Sequence, residues 1–159
     1  MTSRVLIIDD EPANVLLLES MLAEQPELEV KSVTDSRLAE REFLDFEPDI
    51  VLLDLHMPTP DGIEILTRLR GARESLGFLP VVVLTADTTR LARNSALLLG
   101  ADDFLIKPLD REEVLLRVRN LLHTRHLYTE LAGAKEALER HEGQPRKGSQ
   151  AVWVRKPDG

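Results

Sequence analysis

At 159 residues the chain has the length of about one domain, and 43% hydrophobic with 30% charged residues is an ordinary globular balance. Aromatics at 4% argue against a base-stacking platform, and a net charge of −8 works against sequence-independent nucleic-acid binding, which draws on Lys and Arg. The absence of cysteine excludes a disulfide, a thiolate zinc site and a cysteine nucleophile.

The start, Met1-Thr2-Ser3-Arg4, leads into no signal-like apolar region, and no apolar run approaches ~18 residues. The expectation is no signal peptide, no membrane span and a cytoplasmic location. Val5–Ile8 is an apolar run closed by Asp9 and Asp10 and reads as a strand. Pro12 suits a first helical turn, and Val15, Leu18 and Leu22 follow at helical spacing. Leu28–Val33 alternates apolar and charged residues like a more exposed strand. Asp35 or Ser36 can cap a helix holding Leu38 and Phe43. Ile50–Leu53 is a second fully apolar strand and ends at Asp54, and Asp61–Arg70 carries Ile63, Leu66 and Leu69 on a helix. Val81–Leu84 ends at Thr85, and Thr88–Leu99 reads as a helix closed by Gly100. Phe104–Ile106 ends at Lys107, and Asp110 can cap a helix with Val114, Val118, Leu121 and Leu122 on one face.

Runs that are apolar throughout suit parallel strands covered on both faces. Five strand–helix units in succession predict an α/β fold, a doubly wound five-stranded parallel sheet.

The last helix does not stop at Leu122. From Asn120 to Glu142 there is no proline, and Leu127, Leu131, Ala134, Leu138 and His141 recur at spacings of four and three. That is a heptad seam of about two heptads. It reads as a dimerising helix leading to an effector; the alternative is an amphipathic helix folded back on its own domain. Residues 143–159 are rich in Gly, Pro, Ser and Gln, and hold Arg146, Lys147, Arg155 and Lys156 against Asp158 alone. They read as a flexible basic tail after an acidic body, with Ala151–Val154 patterned like a short strand or docking peptide. The expected division is a domain at 1–122, a helical extension and coiled-coil linker at 123–142, and the tail at 143–159.

In open α/β sheets ligands bind beyond the carboxyl ends of the strands. The residues there are Asp9, Asp10, Asp54, Thr85 and Lys107. Carboxylates placed together repel one another, and a hard divalent cation such as Mg²⁺ relieves them with oxygen ligands. Lys107 can bind a carboxylate or a phosphoryl oxygen, and Thr85 offers a hydroxyl. No His, Cys or Ser is placed as a better nucleophile, which leaves a carboxylate to accept a transferred group.

The segments Ile7-Ile8-Asp9-Asp10-Glu11, Leu53-Asp54-Leu55-His56-Met57-Pro58 with Asp61-Gly62, Leu84-Thr85-Ala86 and Ile106-Lys107-Pro108 carry a resemblance. Over about residues 3–122 the chain resembles the chemotaxis-Y-like receiver domains of two-component response regulators, which implies the flavodoxin-like (βα)5 fold. By that resemblance Asp54 accepts a phosphoryl group from a sensor histidine kinase or phosphotransfer protein. Mg²⁺ is held by Asp9, Asp10, Asp54 and the backbone carbonyl of His56. Lys107 and Thr85 contact the phosphoryl group, Ala86 keeps its N–H accessible, and Phe104 is the switch aromatic. Lys107–Pro108 is expected to be cis. The output is a change in the surface of the fourth helix, fifth strand and fifth helix, roughly Thr88–Leu122. That surface would control a partner, dimerisation or a missing effector domain. A homodimer would use that face or residues 120–142.

Two departures stand out. Thr59-Pro60 replaces the usual methionine before Asp-Gly, and Phe104 replaces the tyrosine of many members. By the same resemblance, His56 and Asp87 fall at positions that the family uses to tune phosphoryl lifetime.

Other readings are weaker. An aspartate-nucleophile phosphatase needs an acid at position 56, where His56 stands. A nucleotide site lacks its glycine-rich motif. No helix-turn-helix pattern supports direct nucleic-acid binding. A pseudo-receiver does not need the acids and lysine. Asp9 and Asp10 alone could be helix-approach acids. His123, His126 and His141 show no committed zinc spacing. The chain is therefore expected to be a phosphoacceptor rather than an enzyme.

Overall fold

The computed structural model describes residues 2–143, without the side chains at 73–76. The expected basic tail beyond Gly143, with Ala151–Val154, lies outside the described residues.

Five strands, β1 (Ser3–Ile8), β2 (Leu28–Val33), β3 (Ile50–Asp54), β4 (Val81–Thr85) and β5 (Asp103–Ile106), form one parallel sheet. Its order is β2-β1-β3-β4-β5. The helices are α1 (Pro12–Leu22), α2 (Ala39–Phe46), α3 (Gly62–Leu76), α4 (Arg90–Leu98) and α5 (Arg111–Glu142). The doubly wound α/β fold expected from the alternating runs is the fold observed. β3 and β4 are buried along their whole length, whereas β2, at the sheet edge, is mostly half-buried. This is the difference between continuous apolar runs and the mixed Leu28–Val33 segment.

Side chains alternate across the sheet, so each strand feeds two cores. On one face Val5, Ile7, Leu52 and Leu84 pack with Leu18 of α1 and Val114 of α5. On the other, Leu6, Leu53 and Val83 pack with Phe43 of α2, Leu66 of α3 and Ala96 of α4. Because the chain turns outward on both sides of β1 and β3, the strand order reverses between them. That reversal opens a crevice at the carboxyl ends of these strands.

Helix ends follow local chemistry. Asp61, Thr89 and Asp110 accept the N–H groups of Glu64, Ala92 and Glu113 at 2.9, 3.2 and 3.0 Å. Thus α4 begins at Arg90, after the Thr89 cap, and not at Thr88. Asp35 caps a short 3-10 turn at Ser36–Leu38 before α2 starts. Gly100 has φ +105°, the left-handed region expected of a residue closing α4. α3 runs past Arg70 to Leu76, because Gly71 lies in open space where a missing side chain takes no packing away.

α5 continues unbroken through Leu122 to Glu142. Its attachment to the body also continues past that point. Arg125 donates to Asp49 Oδ1 at 3.1 Å and to the Phe78 carbonyl at 2.6 Å, and Tyr128 stacks on Phe78 with ring centroids 5.0 Å apart. The rest of the helix, from Thr129 on, is exposed. Among the described residues no helix is long and apolar enough to cross a membrane.

Candidate functional site

The strand ends bring the sequence-predicted residues together. Asp9 follows β1, Asp54 ends β3, Thr85 ends β4 and Lys107 follows β5. Asp9, Asp54 and Thr85 are buried, Asp10 is half-buried, and His56 is exposed at the rim. Carboxylate oxygens of Asp9, Asp10 and Asp54 lie within 4.8 Å of one another. Among the described residues this is the one group of three potential metal ligands so placed, and it excludes His123, His126 and His141.

Lys107 Nζ reaches into the cluster, 3.4 Å from Asp54 Oδ1 and 3.6 Å from Asp9 Oδ2. Asp9 Oδ1 accepts the Glu11 N–H at 2.9 Å, while its buried Oδ2 has no hydrogen-bond partner. A buried carboxylate oxygen that has an ammonium at ion-pair distance but no hydrogen bond keeps lone pairs for a further cation or donor. With three oxygen donors converging, the cluster fits a hard divalent cation.

Burial, more than any other effect, raises the Asp54 carboxyl above its ordinary value of 3.8, and the nearby Asp9 adds to the rise. The His56 N–H, 3.2 Å from Asp54 Oδ1, and the Lys107 ammonium oppose it without cancelling it. A group with these opposing influences responds strongly to any added cation.

Around this centre sit the secondary positions. Thr85 Oγ1 accepts the Asp87 N–H at 3.0 Å and lies 3.4 Å from His56 Nε2. Asp87 in turn caps Thr89 at 2.9 Å, and the Thr89 hydrogen bonds hold the Asp87 carboxyl below its ordinary value. Phe104 is half-buried beside α4. Lys107–Pro108 is cis, as expected, and so is Thr59–Pro60.

Two contributors escaped the sequence reading. The first is Gly62, where a Cβ would fall 2.4 Å from the Asp54 carbonyl oxygen and 2.5 Å from Leu55 Cα. Only glycine lets the start of α3 come this close to the strand end. Asp61-Gly62 was visible as a motif, but its spatial neighbour was not. The second is Arg93 on α4, whose guanidinium carbon stands 4.5 Å from the Phe104 ring centroid. Nothing local links an arginine in one helix to an aromatic in the next strand.

The sequence model described as "Response regulator receiver domain" matches residues 5–119. Among curated proteins, the transcriptional regulatory protein TrcR of Mycobacterium tuberculosis is 39% identical over 119 residues, 75% of this chain and 45% of that protein. The response regulator PleD of Caulobacter vibrioides is 37% identical over 143 residues, 90% of this chain and 31% of that protein. That alignment is longer than the 5–119 match, so the likeness does not stop at the family domain. The chain thus spans about half the length, or less, of the curated relatives it matches. Among solved structures, the receiver domain of the Francisella response regulator 1452 superposes with a TM-score of 0.70 at 26% identity, covering 77% of this chain and 98% of that one. Matched over well more than half its length and carrying the expected sheet order, the chain belongs to the response regulator receiver domains of two-component systems.

Proposed function

We propose that this receiver accepts a phosphoryl group on Asp54 from a histidine kinase or phosphotransfer protein and relays the event through the face formed by α4, β5 and α5. The observation that carries the reading is the single Lys107 ammonium set between the buried carboxylates of Asp54 and Asp9.

In this reading an Asp54 oxygen attacks phosphorus. The bond from phosphorus to the donor nitrogen breaks, and the imidazole leaves with the bonding pair. Receiver domains of this family bind Mg²⁺ through an acidic cluster; here Asp9, Asp10, Asp54 and the His56 backbone carbonyl are the proposed ligands. Bound Mg²⁺ supplies charge neutralisation for the phosphoryl oxygens. Lys107 adds a second positive charge beside Asp54 and fixes that side chain's position. Thr85, freed from the Asp87 N–H, turns its hydroxyl to a phosphoryl oxygen, and Phe104 leaves Arg93 as it rotates inward. Phosphorylation biases a two-state domain in this way without making it a turnover enzyme.

Exposed Leu91, Leu97 and Leu98 on α4 and Leu116 on α5 support a protein surface as the output. The acidic balance of the chain favours protein contacts over direct nucleic-acid binding. The proposed division is a receiver at 1–122, a helical extension at 123–142 and a basic tail at 143–159, with the cytoplasm as the location shared with the kinase.

Intact-mass spectrometry after incubation with Mg²⁺ and acetyl phosphate tests the assignment. One phosphoryl adduct is expected, absent in Asp54→Asn and absent when Mg²⁺ is chelated. An adduct that persists in Asp54→Asn, or none where a control receiver is labelled, sinks it.

A further inference from the structure

Only the first part of α5 is packed. Val114 and Val118 are buried against the sheet, and Arg125 and Tyr128 make the last described attachments to the body. Beyond them α5 runs on to Glu142 as exposed helix; Leu127, between the two attachments, is 51% exposed, and Leu131 and Leu138 past them are 68% and 61% exposed. At about 100° per residue these leucines and Ala134 form one stripe, on the side of α5 turned away from Val114 and Val118. The helix does not fold back to cover that stripe on its own domain. A helical stretch of ~15 residues without tertiary packing is marginal in water, so this one gains from a second surface.

We propose that Leu127, Leu131, Ala134, Leu138 and His141 form the seam of a parallel, in-register two-stranded coiled coil with a second copy of this chain. Charges flanking the seam select both the occupant and the direction. With Leu131 and Leu138 at a, and Leu127, Ala134 and His141 at d, Glu130 falls at g and Lys135 at e. In a parallel pair each g residue faces the next e residue of the other helix, so Glu130 meets Lys135 of the second copy, twice per dimer. An antiparallel pair sets e beside e and brings Lys135 against its own counterpart. Glu130 now pairs with His126 on its own helix at 3.1 Å, an exposed contact that a fully charged lysine can replace. Because the stripe faces away from the packed side of α5, the two bodies stand on the outer flanks of the pair. None of these residues belongs to the Asp54 site, so the coiled coil stands or falls independently of the phosphoryl reading.

Sedimentation velocity of the full chain over a concentration series, with no phosphodonor, tests the proposal. A monomer–dimer equilibrium is expected, lost in Leu131→Glu/Leu138→Glu while the body keeps its own thermal transition. Glu130→Lys and Lys135→Glu should each raise the dissociation constant by roughly two- to fivefold, the size of two exposed ion pairs. The double exchange should restore it. In this cysteine-free chain His141→Cys should give a disulfide-linked dimer on air oxidation, and lose it in the Leu131→Glu background. Three results overturn the proposal: a chain monomeric at every concentration, a dimer that survives the leucine changes, or charge exchanges without mutual rescue.

Discussion

Lys107 Nζ stands 3.4 Å from Asp54 Oδ1, and the same ammonium lies 3.6 Å from Asp9 Oδ2, which has no hydrogen-bond partner. One positive charge therefore serves two buried negative ones. Removing a partner from a fully buried pair costs about 3–5 kcal/mol, and the one-fifth exposure of Lys107 lessens that through solvent screening. Lys107→Met should destabilise the metal-free chain by about 1–2 kcal/mol at neutral pH in urea unfolding. Added Mg²⁺ should recover most of the loss, since it supplies positive charge to the same oxygens.

The raised Asp54 carboxyl makes a prediction with a definite sign. Its folded value lies above 3.8, so the native state holds this proton more tightly than the unfolded chain does. The group's contribution to stability is present below 3.8 and is lost as pH rises through the folded value. Asp54→Asn removes that loss. The metal-free variant should exceed the natural chain in stability at neutral pH, and the gap should narrow in acid. Paired urea titrations over the acidic to neutral range, in a chelator, measure it.

Gly62→Ala should disrupt the fold and the site together. Its methyl would overlap backbone atoms of Asp54 and Leu55, which cannot swing aside as a side-chain end can. A cost of about 2–4 kcal/mol is expected in thermal or urea unfolding, with weaker Mg²⁺ binding in whatever remains folded.

Arg125 joins α5 to two separate loops, through Asp49 and the Phe78 carbonyl. Arg125→Met keeps much of the apolar stem and removes both hydrogen bonds. It should cost about 1–2 kcal/mol. Hydrogen exchange should quicken in α5 around residues 121–130 and stay unchanged at Val5–Ile8.

The residues of the candidate site were legible because each one closes an apolar run. Asp54 follows Ile50–Leu53, Thr85 follows Val81–Leu84, and a parallel sheet sets such ends side by side. What stayed hidden depends on distance in the chain. Arg125 lies 76 residues from Asp49 and 47 from Phe78, so no local pattern announces their clamp. Arg93 over Phe104 follows from how α4 lies on β5, which periodicity does not specify. The apolar spacing marked a helix only to Arg70, yet α3 passes through Gly71 to Leu76, and that position faces open space. The short turn at Ser36–Leu38 was hidden for another reason: Asp35 caps it much as it would cap a full helix.

The clamp at Arg125 and Tyr128 also makes α5 a lever arm. At 1.5 Å per residue the stretch from Tyr128 to Glu142 spans about 21 Å. Paired in a coiled coil, the helix is stiff over that distance, so its far end repeats, enlarged, whatever tilt its root undergoes. A tilt of about 10° at the clamp carries the tip sideways by about 4 Å, close to the radius of a side chain. Small angular changes in the body therefore emerge at Glu142 as displacements large enough to exchange one set of neighbours for another.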